Sequence, residues 1–207
     1  MIFDFDGTIL DSSGNVLLEL RSSIEKNGLK VPASFDNVVI GPPMPQIIEG
    51  LFPGIDQKKL DSILFDFRVA HDSSLLENSV LYPNVVELLH ALRNKGARLF
   101  IATNKPRAGL VNAIHRMGLY EIFVAFSCFG DEGIQSKLDS VRLLIKDYKI
   151  DPKKAWMVGD AKSDIYAGKE NDLFTIAHIR GYSSESELRS SEPNLCIEKY
   201  SELIRAI

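Results

Sequence analysis

Several things are scarce in this chain, and each scarcity excludes a class of protein. Only 2 of its 207 residues are cysteine, and Cys128 and Cys196 lie far apart with no CxxC or Cys/His spacing. That usage suits a reducing compartment rather than a disulfide framework, and both are expected as core residues. The 4 histidines, His71, His90, His115 and His178, include no i, i+4 pair, so no zinc site is expected. His71 is expected on the surface of a helix. No stretch concentrates Lys and Arg and the net charge is -4, which removes the electrostatic footprint of a binder of nucleic acid or anionic membrane. No apolar run approaches the ~18 residues of a membrane span. The opening Met1-Ile2-Phe3-Asp4 carries no basic region ahead of a long apolar stretch, so no signal peptide is expected and the cytoplasm is the expected location. Repeats and low-complexity segments are also lacking.

What remains is ordinary soluble composition, 45% hydrophobic and 25% charged, which argues against disorder or a coiled coil. Five short apolar runs are predicted strands: Ile2 to Phe5, Arg98 to Thr103, Val124 to Cys128, Ala155 to Val158 and Phe174 to Ile179. Between them apolar residues recur at helical spacing, as in Val85, Leu88, Leu89, Leu92 and in Val141, Leu144, Ile145, Tyr148. Strands alternating with such helices predict an α/β fold, a Rossmann-like parallel sheet covered by helices on both faces.

One stretch breaks the alternation. Residues 12–80 hold no convincing strand but two helical patterns, Val16 to Lys26 and Gln57 to Leu76, with Gly28 and Pro32 closing the first. Gly41-Pro42-Pro43-Met44-Pro45 reads as a loop through the middle, and Tyr82-Pro83 restarts the alternation. We therefore expect an all-helical cap domain at 12–80 inserted into an α/β core formed by 1–11 and 81–207, with hinges near Ser12 to Gly14 and Ser79 to Pro83. The prolines of the loop Gly41 to Pro45 read as a rigid connection between cap helices. Trp156, Phe3, Phe5, Phe65 and Phe67 sit in apolar runs and are expected in the core.

The chemistry concentrates at strand ends. Asp4-Phe5-Asp6-Gly7-Thr8 follows Ile2-Phe3 directly. With average residue usage, its four fixed positions recur by chance in roughly one chain of this length in several hundred. Side chains at i and i+2 share one side of a strand, so both carboxylates are expected to face the crevice beyond it, where a cation would relieve their repulsion. Gly159-Asp160-Ala161-Lys162-Ser163-Asp164 likewise follows Trp156-Met157-Val158 and offers two more hard oxygen donors of the kind magnesium selects. Alone this pattern recurs by chance in about one chain of this length in twenty-five, and Asp160 could simply cap a helix. Thr103-Asn104-Lys105 and Lys137 stand before helices, where hydroxyls and backbone amides bind phosphate oxygens, although capping and a solvated charge are the plainer readings of each.

Together, and in this order, these four signals resemble the haloacid dehalogenase superfamily over nearly the whole chain, closest to its phosphoglycolate phosphatase-like branch with a helical cap. The resemblance implies a magnesium-dependent phosphatase acting on a small phosphorylated metabolite, and gives the loop Gly41 to Pro45 an alternative role in selecting that substrate. Asp4 would be the nucleophile and Asp6 the general acid and base, with Thr103, Asn104 and Lys137 at the phosphoryl group. Asp4, Asp160 and Asp164 would hold Mg²⁺ with the backbone carbonyl of Asp6. Ala161 departs from the Ser or Thr of many relatives, which affects only a secondary hydrogen bond. Alternatives on the same scaffold are a phosphosugar mutase of the β-phosphoglucomutase type, a pyrophosphatase or a nucleotidase. A dehalogenase fits poorly, because that branch lacks the second Asp that Asp6 supplies. A binding module with a decayed site fits poorly too, because every expected catalytic position is filled.

Overall fold

A computed structural model describes residues 1–206, with the side chains of 13–15, 72, 74–78 and 206 outside the described set. The chain opens with strand β1 (Ile2–Phe3), a short β2 (Leu10–Asp11) and helix α1 (Ser13–Lys26). Helices α2 (Met44–Leu51) and α3 (Gln57–Asn78) follow, then β3 (Val80–Leu81) and α4 (Val85–Asn94). The rest alternates: β4 (Phe100–Pro106), α5 (Arg107–Arg116), β5 (Ala125–Phe129), α6 (Lys137–Tyr148), β6 (Trp156–Gly159), α7 (Lys162–Lys169), β7 (Phe174–His178), α8 (Glu185–Ser190), β8 (Leu195–Ile197) and α9 (Tyr200–Ala206).

Six strands form one parallel sheet in the order β5-β4-β1-β6-β7-β8. From β1 the chain builds outward through β4 to β5, then crosses back to β6, β7 and β8 on the other side. The reversal places a topological switch point between β1 and β6, where the crevice beyond the strand ends opens. Strand parity assigns the two faces. Ile2, Phe100, Ala102 and Met157 point to one side, where Val141 and Leu144 of α6 and Ala167 of α7 cover them. Phe3, Ile101, Val158 and Ile176 point to the other, against α4, α5 and α9. Such strands are buried on both faces and read as continuous apolar runs rather than alternating ones.

Helices α1, α2 and α3 close on a separate apolar cluster of Leu20, Ile24, Phe35, Ile48, Leu60, Ile63 and Phe67. Where this helical module meets the core, β2 and β3 pair antiparallel, Leu10 opposite Leu81 and Asp11 opposite Val80. Of the first expected hinge, Ser12 to Gly14, only Ser12 has a described side chain.

Several expectations need correction. The sheet has a sixth strand, β8, too short to announce itself by pattern. Met44 and Pro45 are not loop but the first turn of α2, where proline costs nothing because its missing N–H has no helical partner. Lys137 is the first residue of α6 rather than its neighbour, with Ser136 accepting from the Asp139 N–H as the cap. Phe65 is 66% exposed and Trp156 half-buried, and Cys196 is half-buried while Cys128 is fully enclosed. Phe65 lies out of phase with the stripe Leu60, Leu64, Phe67, so membership of an apolar run did not decide its burial.

Ile101 is wholly enclosed between α5 and its neighbouring strands. Ile101→Ala should cost about 2–5 kcal/mol, the range for deleting a buried aliphatic side chain. Urea unfolding at unchanged m-value measures it, and a loss below about 1 kcal/mol would mean that the sheet centre is not the tightly packed core described.

Candidate active site

Asp4 follows β1 with its N–H bonded to the Val158 carbonyl at 2.9 Å, so the ladder carries it one residue further. It keeps the parity of Ile2 and leans toward α6 and α7. There it meets the Lys137 ammonium, whose Nζ lies 2.6 Å from Asp4 Oδ1 and 3.0 Å from Asp164 Oδ1 and donates to the Ala102 carbonyl at 2.9 Å. Lys137 is 3% exposed, so these oxygens replace its water.

Asp4, Asp160 and Asp164 each turn a carboxylate oxygen into one space, all within 4.8 Å of one another and all buried. Asp164 Oδ2 accepts from the Ala161 N–H at 2.9 Å and so closes the first turn of α7. Its Oδ1 is buried with no hydrogen-bond partner, since Lys137 is near in charge but poorly aligned. Asp160 is not the helix cap, because Ala161 occupies that position. Instead it accepts from Thr8 Oγ1 and from the Tyr182 N–H, each at 2.8 Å. Two glycines make room for it: a Cβ at Gly7, which has φ +81°, or at Gly181 would overlap the Asp160 side chain.

The electrostatics follow from this crowding. Burial pushes the Asp4 carboxyl up to about 7 against the pull of Lys137, with Asp164 adding to the rise. Burial and then the charges of Asp4 and Asp164 push Asp160 well above the ordinary range. Burial would lower Lys137, but Asp164 and Asp4 outweigh it and hold the ammonium protonated. Three buried carboxylates facing one ammonium, one of them with an orphaned oxygen, are a donor set that fits a hard divalent cation.

Asp6 lines one cavity with Asp4 and Asp160, as its i+2 spacing predicts, but its carboxylate stands apart from the cluster of Asp4, Asp160 and Asp164. The strand has ended at Phe3, and the chain turns so that the Asp6 carboxylate accepts from Ser12 Oγ at 2.8 Å and from Lys105 Nζ at 3.3 Å through each oxygen. Burial alone would raise this group, but the Lys105 ammonium, with the hydrogen bond from Ser12, holds it below the ordinary range. Its repulsion is thus relieved by a protein cation. Because Ser12 Oγ donates to Asp6, the Tyr182 hydroxyl 2.6 Å away must donate to Ser12.

Three contributors, Lys105, His71 and Tyr182, were given no role in the site by sequence reasoning. Lys105 follows Thr103 and Asn104 in an irregular stretch of β4, where the ladder shifts register between Thr103 and Pro106. His71, expected on a helix surface, is 7% exposed, and its Nε2 lies 3.0 Å from Lys105 Nζ. An ammonium has only donors, so Nε2 accepts and Nδ1–H donates to Glu19 Oε2 at 2.7 Å. The signal was present: Leu64, Phe67 and His71 lie three and four residues apart on the buried stripe of α3. Tyr182 carries no comparable signal. Thr103 is buried at 2% exposure, and its Oγ1 accepts from the Lys105 N–H at 3.1 Å. Asn104 reaches across to the helical module, donating from Nδ2 to the Gly41 carbonyl at 2.7 Å. Asp4, Asp6, Thr103, Asn104 and Asp160 all line one cavity of about 210 Å³ between the helical module and the sheet.

A family model described as haloacid dehalogenase-like hydrolase matches residues 1–178. The chain belongs to that family. A phosphoglycolate phosphatase of Agrobacterium fabrum is 27% identical over 100% of this chain and 91% of its own length. The PpaX pyrophosphatase of Bacillus velezensis is 27% identical over 99% of this chain and 94% of its own. Among solved structures, one described as a predicted phosphatase from Clostridium acetobutylicum superposes with a TM-score of 0.86 at 23% identity, covering 99% of this chain and 95% of that one, which speaks for the fold. This haloacid dehalogenase-like protein is an enzyme of the phosphatase class, similar to the phosphoglycolate phosphatases.

The raised carboxylates carry a pH signature. Ionising a group whose folded pKa lies above its unfolded one costs stability, so the metal-free protein loses stability as pH rises from about 3.8 through about 7. A cation that binds the ionised cluster reverses this. Were that cation magnesium, at 100 times its Kd it would contribute about 2.7 kcal/mol, or roughly 5–10 °C in Tm for a chain of this size. We expect that gain at pH 8 and less than half of it at pH 5. Thermal melts with and without magnesium at the two pH values check it, and equal shifts would contradict the assignment.

Proposed function

We propose that this enzyme is a magnesium-dependent phosphatase that hydrolyses a small-molecule phosphate monoester through an aspartyl phosphate on Asp4. The observation that carries the reading is the placement of Asp4. Its carboxylate is buried at the switch point, tied to Lys137 and converging with Asp160 and Asp164, while a second carboxylate in a different electrostatic setting, Asp6, lines the same cavity. Two acidic groups driven apart in pKa are the usual mark of divided roles. The relatives named phosphoglycolate phosphatase and pyrophosphatase support the reaction class.

In this mechanism an Asp4 oxygen attacks phosphorus and the ester bond to the leaving oxygen breaks. Thr103 Oγ1 donates to a phosphoryl oxygen, with Asn104 beside it. Lys137 offsets the charge of Asp4 as one anion approaches another. Asp4, Asp160, Asp164 and the Asp6 backbone carbonyl would hold Mg²⁺, which supplies charge neutralisation at the transferring phosphoryl group. Asp6 delivers a proton to the leaving alkoxide. It then takes one from the water that attacks the phosphoenzyme, releasing inorganic phosphate and free Asp4. Lys105 stabilises ionised Asp6 once its proton has gone to the alkoxide, the form required by the second half. Water attack then leaves Asp6 protonated, and that proton serves the first half of the next turnover.

Residues 12–80 serve in this reading as a cap that closes over the cavity about hinges near Ser12 to Gly14 and Ser79 to Pro83, excluding water during transfer. His71 and Gly41, each bonded to the core strand β4 at Lys105 and Asn104, are its points of engagement.

Replacing the two aspartates distinguishes their roles. Asp4→Asn should lower turnover by at least about 10⁴-fold with every ester. Asp6→Asn should lower steady-state turnover about 10²- to 10⁴-fold, yet still release a burst of p-nitrophenol from p-nitrophenyl phosphate, whose leaving group needs no proton. Phosphate release with magnesium and stopped-flow absorbance read these outcomes. An Asp4→Asn enzyme with substantial activity would remove the mechanism.

A further inference from the structure

Resting on the phosphatase reading, we propose that the ester's alcohol is compact and apolar, an alkyl or arylmethyl group, and not a polyhydroxylated sugar. The cavity beyond Asp4 and Asp6 is walled by Val16 of α1, Ile40, Met44 of α2, Phe67 of α3 and Phe129 at the end of β5. Val16 and Phe67 are each only 7% exposed, and Phe67 stacks on His71 with ring centroids 5.5 Å apart, which fixes an apolar wall beside the catalytic end.

Apart from Arg68, the polar side chains that line this space beside the apolar wall are already engaged among the described residues. Ser12 Oγ donates to Asp6 and accepts from the Tyr182 hydroxyl. Both ring nitrogens of His71 are used, by Glu19 and Lys105. Lys105 is divided between His71 and Asp6, and the Asn104 amide donates to Gly41. Arg68 is the other cation on the lining and is exposed to solvent. A sugar would bring several hydroxyls into a space whose donors and acceptors are occupied, and buried hydroxyls without partners are penalised. An apolar group meets walls of its own kind. The volume, about 210 Å³ including the phosphoryl end, lies below the ~300–1,000 Å³ of pockets that take drug-sized ligands, so a phosphoryl group with a short chain or single ring suits it.

The test compares primary alkyl esters, so that none has an activated leaving group. The full chain with magnesium is assayed for phosphate release from benzyl phosphate, butyl phosphate, glucose 6-phosphate and phosphoglycolate. We expect kcat/KM for benzyl phosphate to exceed that for glucose 6-phosphate by on the order of 100-fold, and that for phosphoglycolate by at least about tenfold. Met44→Ser should shrink the ratio of benzyl to methyl phosphate by about tenfold or more. Independently of any variant's folding, benzylphosphonate should inhibit the wild-type enzyme at lower concentration than phosphonoacetate. Equal or better turnover of glucose 6-phosphate or phosphoglycolate would overturn the inference and leave the phosphatase reading standing. No magnesium-dependent release from any of these esters or from p-nitrophenyl phosphate would remove both.

Discussion

One ammonium holds the centre of this molecule together. Lys137 is buried at the start of α6 and faces Asp4, Asp164 and the Ala102 carbonyl, which come from three separate parts of the parallel sheet and its helices. Without that charge, Asp4 and Asp164 would be uncompensated anions in the interior, a condition proteins avoid by changing protonation or structure. With it, three carboxylates are still served by one cation, and the excess shows in the raised values of Asp4 and Asp160. The fold therefore stores an unmet demand for positive charge where β1 and β6 diverge. Magnesium and the electropositive phosphorus of an ester are the two things in the proposed reaction that answer it.

The same economy separates the two aspartates of the first motif. Asp4 remains on the strand's parity and joins the crowded cluster, whereas Asp6 lies past the strand end and is matched by Lys105. Lys105 in turn meets His71, whose orientation is fixed by Glu19 across the helical module. A continuous polar path thus runs from α1 through α3 to the acid–base candidate in the core. It links the position of the helices to the state of Asp6 by contact rather than by distance.

Much of this was legible in the residues because the signals were local. The apolar runs predicted five of the six strands of the parallel sheet, and the acidic motifs at their ends named carboxylates that the structure brings together. What failed did so for definable reasons. Two-residue strands such as β2 and β3 lie below any periodic signal, and β8 is barely longer. Pro45 looked like a helix breaker because its effect depends on position, and it falls in the first turn. The spacing of Asp4 and Asp6 rightly placed both at one cavity but carried no sign of Lys105, which holds the Asp6 carboxylate apart from the other acids. His71 was set aside as a lone histidine although it continued the buried stripe of α3. Gly181 and Tyr182, which shape and bond Asp160, approach it only through the fold of the loop after β7.

The central claim is that Asp4 carries the phosphoryl group, and covalent capture tests it most directly. Wild-type enzyme mixed with magnesium and a turned-over phosphate ester would be quenched in acid within milliseconds, then examined by intact mass and peptide mapping. The account predicts a hydroxylamine-sensitive adduct of one phosphoryl group, located on Asp4. A phosphoryl group on another residue, or rapid turnover with no adduct at any quench time, would contradict it.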